Sequence, residues 1–395
     1  MLNTAILGFG TVGGGVAEVL TMNKDRLAKK VGQELNLKYI LDTRDFPGNP
    51  FEDKIIHDFA IIEKDAEVQL VAECIGGATI AYEFVKRCLQ AGKHVATSNK
   101  ELVATKGYEL LSIAKEHHVN FLFEASVGGG IPVLRPLAFD LAGNEITEVA
   151  GILNGTTNYI LTKMFGEGAA FADVLKDAQA KGYAEANPAA DVEGLDACRK
   201  VCILSALSYG FHVYPDQMKT EGITSITEED VAAAASANMK IKLLGRTMRL
   251  EDGRVCAFVA PHYVPMDCQL AHVDDVFNGV LIRGNAIGEA MFYGPGAGKL
   301  PTASAVVGDL ADAAWHLNDR RPLDWDDARP EALVPVNAVE LPYVIRTAAA
   351  QKDVEAAFGP VSALAAQSYL LSSPMTRDAI EASGLELLAV RPVFA

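Results

Sequence analysis

The sequence lacks the features that would place the protein in a membrane or on nucleic acid. No stretch reaches the roughly 18 consecutive apolar residues of a bilayer-spanning helix. No run of Lys or Arg concentrates positive charge, and the formal net charge is −16, which disfavours nucleic acid and anionic membranes as partners. The first residues have the pattern of a strand and lack the basic segment and cleavage site of a signal peptide. We therefore expect a cytoplasmic protein.

Cysteine is also sparse, and its spacing is not that of a metal site or a disulfide framework. The six cysteines include no CxxC pair, and HExxH is absent. Cys198 and Cys202 lie one helical turn apart, as core residues often do. Reduced thiols and the absence of a zinc site are the expectation.

The length of the chain and its apolar content indicate a protein of several domains. A chain of 395 residues exceeds the size at which a single core usually keeps growing. Half of its residues are hydrophobic, which is typical of well-packed globular proteins. We expect two or three domains.

A glycine-rich turn near the start of the chain has the pattern of a dinucleotide-binding loop. In "TAILGFGTVGGGVAEVL" an apolar strand precedes Gly8, Gly10 and Gly13, and a helical pattern follows. Gly8 would allow the tight turn, Gly10 the approach of a pyrophosphate, and Gly13 close packing of helix on strand. The first helical turn then offers free N–H groups to the phosphates.

The following residues alternate between strand-like and helix-like patterns. Strands are predicted at 36–41, 68–73, 93–98 and 119–125, with helices at 80–92 and near 107–117. This order predicts a doubly wound parallel α/β sheet of the Rossmann type. "CIGG" (74–77) and "SNK" (98–100) follow strand ends, where ligands of such sheets bind.

The preferred nucleotide stays open from these residues. An acid after the second strand usually holds the ribose hydroxyls of NAD, whereas an arginine there accommodates the phosphate of NADP. This chain has both, as Asp42 and Arg44.

The stretch "KGYAEANPAADVEGLDACRK" (181–200) carries acids to the start of an apolar helix. Asp196 and Lys200 are four residues apart and should share a face, with Glu193 one turn earlier. A surface ion pair is the simple alternative. However, the helix continues as "VCILSAL", so Lys200 should be buried, where a lysine is costly unless it is paired or used. The polar residues of "ILNGTTNYIL", Asn154 among them, are typical of a turn and helix cap.

Together these motifs resemble the homoserine dehydrogenase family. The matching stretches are "GFGTVGGGV", "TSNKELVA", "EASVGGGIPVLRPL", "ILNGTTNYIL", "KGYAEANPAADVEGLDACRK" and "YGPGAGKLPTASAVVGDL", in family order from residue 4 to about 310. The resemblance implies an NADP- or NAD-dependent oxidoreductase that interconverts L-homoserine and L-aspartate 4-semialdehyde in threonine, methionine and isoleucine biosynthesis.

The resemblance also implies roles for individual residues. Lys200 would move the proton, with Lys100 assisting, and Glu185, Asp191 and Asp196 would hold the substrate. A monovalent cation, Na⁺ or K⁺, would sit mostly on main-chain oxygens of Glu124, Val127, Gly129 and Ile131. The expected nucleotide contacts are Gly8, Phe9, Gly10, Thr11, Val12, Gly13, Arg44, Ile75, Gly76, Lys100, Gly182, Glu185 and Gly298.

Four segments are expected from the motifs and the resemblance. A Rossmann domain would span 1–130 and be rejoined by about 300–318, and an α+β substrate and dimerisation domain would span 131–300. A linker (319–335) would lead to a shortened ACT-like module (336–395). That module lacks the Asp-x-Pro-Gly of the family's ligand loop, so a plain stabilising or dimerisation unit remains an alternative. A homodimer or homotetramer is expected.

Two other functions remain open from the sequence. One is another two-domain NAD(P) oxidoreductase of amino-acid metabolism, such as an acylating semialdehyde dehydrogenase. Cys74 would be its nucleophile, although no histidine lies nearby in sequence. The other is a non-catalytic nucleotide or amino-acid sensor on the same fold.

Overall fold

The computed structural model describes residues 1–395, which form two compact units. The first comprises Met1–Gly143, Ala206–Tyr214 and Gly294–Ala328. The second comprises the remaining residues.

Strands and helices alternate through the first 143 residues. They are β1 (Leu2–Leu7), α1 (Thr11–Met22), α2 (Lys24–Val31), β2 (Leu35–Leu41), β3 (Ile55–Ile56), α3 (Phe59–Lys64), β4 (Val68–Glu73), α4 (Thr79–Gln90), β5 (His94–Thr97), α5 (Lys100–Glu116) and β6 (Phe121–Leu122).

The remainder of the chain first forms a mixed region and ends in a short α+β segment. The elements are β7 (Ile146–Ile152), α6 (Gly155–Glu167), α7 (Phe171–Ala180), α8 (Ala189–Val192), α9 (Leu195–Tyr209), β8 (Lys219–Thr220), α10 (Glu228–Ser236), β9 (Met239–Arg249), β10 (Val255–Pro265), β11 (Phe277–Gly284), β12 (Gly288–Pro295), α11 (Lys299–Trp315), β13 (Tyr343–Thr347), α12 (Gln351–Phe358), β14 (Val361–Leu364), β15 (Ser368–Leu371), α13 (Arg377–Glu381) and β16 (Leu387–Pro392). Short 3₁₀ or π turns lie at Glu52–Lys54, Glu124–Ser126, Pro136–Asp140, Pro215–Gln217, Gln269–His272, Pro330–Ala332 and Val336–Ala338.

The first unit is built on a six-stranded parallel sheet. Its strand order is β3-β2-β1-β4-β5-β6, the order of a doubly wound dinucleotide-binding sheet. All six residues of β1 are buried, as expected for a central parallel strand covered on both faces. The expected fold class is confirmed.

The second unit contains a mixed sheet in the order β12-β11-β7-β9-β10-β8. The long β9 and β10 pair antiparallel along eleven residues each. Only β8 joins in a parallel sense, beside β10.

The last part of the chain forms a four-stranded antiparallel sheet. Its βαββαβ order and its strand sequence β14-β15-β13-β16 describe a ferredoxin-like motif. Its apolar face shares one core with β10, where Phe258 packs with residues such as Tyr343 and Ile345. Whether this segment is an ACT-like module stays a prediction.

Several element boundaries differ from the sequence prediction. Helix α5 begins at Lys100, not near 107, because the Asn99 side chain caps it there. Gly107 lies inside the helix at a point of close packing, where a Cβ would lie 2.7 Å from the Trp325 ring. The predicted strand 119–125 shortens to β6. In the tail, β14 and β15 form a hairpin that turns at Ala366 and Gln367, both with positive φ.

None of the helices combines the length and the apolar character that a bilayer crossing requires.

Candidate active site

The glycine loop between β1 and α1 has the geometry of a phosphate cradle. Gly8 has φ +88°, and a Cβ on Gly13 would lie 1.9 Å from the Gly8 carbonyl oxygen, so the turn requires glycine at both positions. A Cβ on Gly10 would meet nothing within 4 Å, so a ligand could approach the backbone there. No side chain caps α1, and the amides of Thr11 and Val12 therefore face a position suited to an anion.

The Asp42 carboxylate accepts hydrogen bonds both from the glycine loop and from Arg44. Its Oδ2 accepts a hydrogen bond from the Phe9 amide at 2.8 Å, and its Oδ1 accepts from the Arg44 side-chain Nε at 3.0 Å. The Arg44 guanidinium holds the pKa of this carboxyl down at about 2. The Arg44 side chain is 61% exposed, and its guanidinium lies beside the loop, 3.5 Å from the Phe9 carbonyl oxygen.

Two further predicted contact segments lie at neighbouring strand ends of the first unit. Ile75 and Gly76 follow β4, and Lys100 follows β5 as the first residue of α5. Asn99 caps that helix by accepting a hydrogen bond from the Leu102 amide at 3.0 Å. Because β4 and β5 are adjacent parallel strands, both segments lie at the ligand-binding edge of the sheet.

The predicted cation loop, Glu124 to Ile131, is held by the side chain of Glu124. The Glu124 carboxylate accepts hydrogen bonds from three successive amides, those of 133, 134 and 135, at 2.6 to 2.8 Å. Burial nevertheless raises the pKa of this carboxyl. No group of three or more His, Cys, Asp or Glu side chains in the chain is arranged as a metal site.

The main-chain oxygens of this loop are better placed to bind a monovalent cation than the Glu124 side chain, which already accepts three hydrogen bonds. Val127, Gly129 and Ile131 are buried, and their carbonyls accept no backbone hydrogen bond. Buried carbonyls normally find a partner, and a cation could supply it. Gly129 packs so closely on the second glycine-rich loop that a Cβ would lie 2.4 Å from the Gly296 oxygen. Gly298 begins the helix α11 in that loop.

Lys200 and Asp196 form a buried ion pair in the second unit. Lys200 Nζ lies 2.7 Å from Asp196 Oδ2 and 2.5 Å from the Leu153 carbonyl oxygen. The Lys200 and Asp196 side chains are only 9% and 7% exposed. A pair held in this way, with a second acceptor on the lysine, is not a mobile surface ion pair.

Asn154 joins the two acids of this site. Its Nδ2 donates to Asp191 Oδ1 at 2.7 Å and to Asp196 Oδ2 at 2.9 Å. Its Oδ1 accepts from the Thr157 amide at 2.9 Å and so caps α6. The expected helix cap is therefore present, but the same side chain also holds two carboxylates together. Sequence reasoning missed this second role.

Two other acids of the 181–200 stretch, Glu185 and Glu193, are not buried as Lys200 is. Glu193 does not precede Asp196 on one helix, because Gly194, with φ +82°, separates α8 from α9. Glu193 is exposed, and Glu185 is exposed as well. Gly182 lies in the same exposed loop, which Thr156 anchors by donating to the Tyr183 carbonyl at 2.6 Å.

The chain matches two family models, "Homoserine dehydrogenase, NAD binding domain" over residues 8–124 and "Homoserine dehydrogenase" over residues 132–311. The homoserine dehydrogenase of Neisseria gonorrhoeae is 39% identical over 384 residues, 93% of this chain and 86% of the relative. The homoserine dehydrogenase of Pseudomonas aeruginosa is 38% identical over 393 residues, 97% of this chain and 90% of the relative.

Solved structures agree with these sequence matches. The crystal structure of a homoserine dehydrogenase from Thiobacillus denitrificans superposes with a TM-score of 0.89 and 34% identity, over 99% of this chain and 97% of that one. A hyperthermophilic archaeal homoserine dehydrogenase in complex with NADPH has a TM-score of 0.67 and 28% identity, over 79% of this chain and 97% of that one. The chain belongs to the homoserine dehydrogenase family.

Proposed function

We propose that the protein catalyses the reversible, NAD(P)-dependent oxidation of L-homoserine to L-aspartate 4-semialdehyde. The observation that supports this most directly is the buried Lys200, held between Asp196 and a main-chain carbonyl. We further propose that the first unit holds the nucleotide and the second holds the amino acid.

Lys200 acts as the proton donor when the semialdehyde is reduced. Its Nζ donates hydrogen bonds to the Leu153 carbonyl oxygen and to Asp196 Oδ2, which favours the ammonium form. The lysine can donate a proton to the aldehyde oxygen as that atom becomes an alkoxide. In the opposite direction the neutral amine takes the hydroxyl proton. The nicotinamide, when bound, accepts or supplies the hydride.

The acids bind the ammonium group of the substrate. Asp191 and Asp196, brought together by Asn154, present negative charge beside Lys200, and exposed Glu185 can reach a ligand from its loop. Carboxylates suit an α-ammonium group because charge-assisted hydrogen bonds are strong. Lys100 assists from the start of α5.

We propose that NADP is accepted and that Arg44 contacts its 2′-phosphate. Asp42, which accepts hydrogen bonds from Phe9 and Arg44, orients the guanidinium, while its own negative charge opposes the phosphate. A monovalent cation, Na⁺ or K⁺, would bind at Glu124, Val127, Gly129 and Ile131, mostly through main-chain carbonyls, and stabilise the loop.

The mixed sheet would carry the subunit contact of a homodimer or homotetramer. Its edge strand β12 ends near Tyr293, which is 57% exposed and stacks on Phe277 at 5.3 Å between ring centroids.

The alternative of an acylating dehydrogenase has little support. Burial raises the pKa of the Cys74 thiol well above its usual value, whereas a nucleophilic cysteine needs a lowered one. A spectrophotometric assay at about 340 nm with homoserine and each nucleotide tests the proposal. Homoserine-dependent formation of reduced nucleotide is expected. Nucleotide binding without turnover would instead favour a sensor.

A further inference from the structure

Glu73 is a buried acid to which the mechanism above gives no role. It ends β4 and is 0% exposed. Burial raises the pKa of its carboxyl to about 7, and no lysine or arginine contributes to its surroundings. A carboxyl group in such a position is costly unless its hydrogen bonds compensate, so its contacts indicate what it does.

The Glu73 carboxyl connects two segments that follow neighbouring strands. Its Oε1 accepts a hydrogen bond from the Ile75 amide at 2.6 Å, which bends the loop after β4 back onto the strand. Its Oε2 accepts from the Thr97 hydroxyl, at the end of β5. Thr97 Oγ1 in turn accepts from the Asn99 amide at 2.9 Å.

Asn99 closes these contacts into a ring. Its Nδ2 donates to the carbonyls of Ile75 at 3.1 Å and Gly77 at 2.7 Å, while its Oδ1 caps α5. The ring therefore links the loop 75–77, which is expected to contact the nucleotide, to the helix whose first residue is Lys100. A shift of Glu73 must move both.

We propose that Glu73 is a positioning residue that sets the nucleotide loop and Lys100 in one fixed relation through Thr97 and Asn99. This inference rests on the proposed function and deepens it. Glu73 itself contacts neither the substrate nor the reacting atoms. Its effect passes through the main chain of Ile75 and through the start of α5.

The chemistry of the ring explains why a carboxyl or carboxamide is needed. The group must accept from the Ile75 amide with one atom and bind the Thr97 hydroxyl with the other. Glutamine can do both, because its carbonyl accepts and its amide donates to Thr97 Oγ1. Alanine can do neither and would leave the Ile75 amide without its partner.

The test compares Glu73→Ala, Glu73→Gln and Thr97→Val in the full chain. Glu73→Ala should lower kcat/KM for the nucleotide by about 10²-fold, the scale of a roughly 1 Å misplacement, through both a higher KM and a lower kcat. Glu73→Gln should stay within about 3-fold of the wild type. Thr97→Val, which removes only the hydroxyl, should fall between them, as partial loss of a positioning contact predicts.

Two controls separate positioning from loss of stability. Asp230 is an equally buried acid in the second unit, paired with Arg346, and Asp230→Asn should lower the melting temperature with KM and kcat kept. In a Lys100→Ala background, Glu73→Ala should lower kcat much less than it does alone, because residues that act through one another are not additive.

The proposal is overturned if Glu73→Ala lowers only the melting temperature, or if its effect on kcat is unchanged in the Lys100→Ala background. Should the wild type show no homoserine-dependent turnover, the proposed function fails, and an NADPH binding titration decides the positioning role alone. Weaker NADPH binding by about 10-fold or more in Glu73→Ala, but not in Asp230→Asn, would support it. Equal affinity would reject it.

Discussion

A carboxylate and a main-chain carbonyl both stabilise the positive charge on Lys200. Both acceptors lie within 2.7 Å of its Nζ, in surroundings with little exposure to water. Removing either member of such a pair leaves the other charge uncompensated, so chemistry and stability must be measured side by side.

Lys200→Ala should lower kcat by about 10²–10⁴-fold, the usual range for a positioned acid–base group, with nucleotide affinity unchanged. Asp196→Asn should chiefly raise KM for homoserine, because a carboxylate that binds the ammonium group contributes to ground and transition states alike. Steady-state kinetics and melting curves on both variants test this. Full turnover in Lys200→Ala would exclude the mechanism.

Arg44→Ala should raise KM for NADP more than KM for NAD. The reason is the exposed guanidinium that Asp42 orients beside the glycine loop, which could bind a 2′-phosphate in a bidentate way. The ratio of the two KM values is the measurement. Equal changes would show that Arg44 does not contact that phosphate.

Glu73 should make stability depend on pH below neutrality. Its folded-state pKa of about 7 lies above the ordinary value of 4.5, so between these values the folded protein retains a proton that the unfolded chain has lost. Its contribution to the free energy of unfolding is therefore fully present below about pH 4.5. That contribution is lost as pH rises to 7, by up to ~1.4 kcal/mol per pH unit. Urea unfolding at pH 5, 6 and 7 should show a smaller decline in Glu73→Gln. Parallel curves would contradict this.

Helix α1 depends on the absence of one side chain at its start. A Cβ on Gly13 would collide with the Gly8 carbonyl, whereas a Cβ on Gly14 would meet nothing within 4 Å. Gly14→Ala is therefore a matched control in the same helical turn.

Gly13→Ala should weaken NADPH binding by about 10²-fold, the scale of a roughly 1 Å misplacement, and lower stability, because the turn must open to admit the methyl group. Gly14→Ala should keep nucleotide affinity and raise stability by about 0.5–1 kcal/mol, as replacement of a helical glycine does. Fluorescence titration with NADPH and urea unfolding compare the two. Similar affinity losses in both variants would show that the backbone geometry of the loop is not what matters.

Local patterns predicted the parallel sheet and the glycine loop because each depends on residues close in sequence. The start of α5 was missed although Asn99 is a local capping signal for it, and the close packing of Gly107 on Trp325, more than 200 positions away, was not visible in the sequence. The second role of Asn154 was equally hidden, since its partners Asp191 and Asp196 lie on other elements. Glu73 gave a weak signal, an acid ending an apolar strand before a glycine pair.

At the scale of the whole molecule, the ferredoxin-like tail cannot be treated as a detachable part of the second unit. It shares a core with β10, and Arg377 forms an ion pair with Glu221 in the segment after β8. Tests of its role therefore require the full chain.

Threonine should not inhibit the enzyme strongly. The segment between β13 and α12 reads Ala348, Ala349, Ala350 and lacks the Asp-x-Pro-Gly expected of an ACT ligand loop. Titration of threonine to millimolar levels in the dehydrogenase assay is the measurement. Clear cooperative inhibition would show that the tail binds an effector in another way.

The late position of α11 in the chain has a consequence for biosynthesis on the ribosome. This helix packs on α1, where a Cβ on Gly15 would lie 2.7 Å from the Lys299 carbonyl oxygen, and its Asp309 binds the Glu124 amide at 2.8 Å. The last strand of the parallel sheet ends at Leu122, whereas its closing helix begins only at Lys299, so the sheet is translated well before that helix. A nascent chain arrested before residue 299 should expose the apolar face of α1 and depend on chaperones.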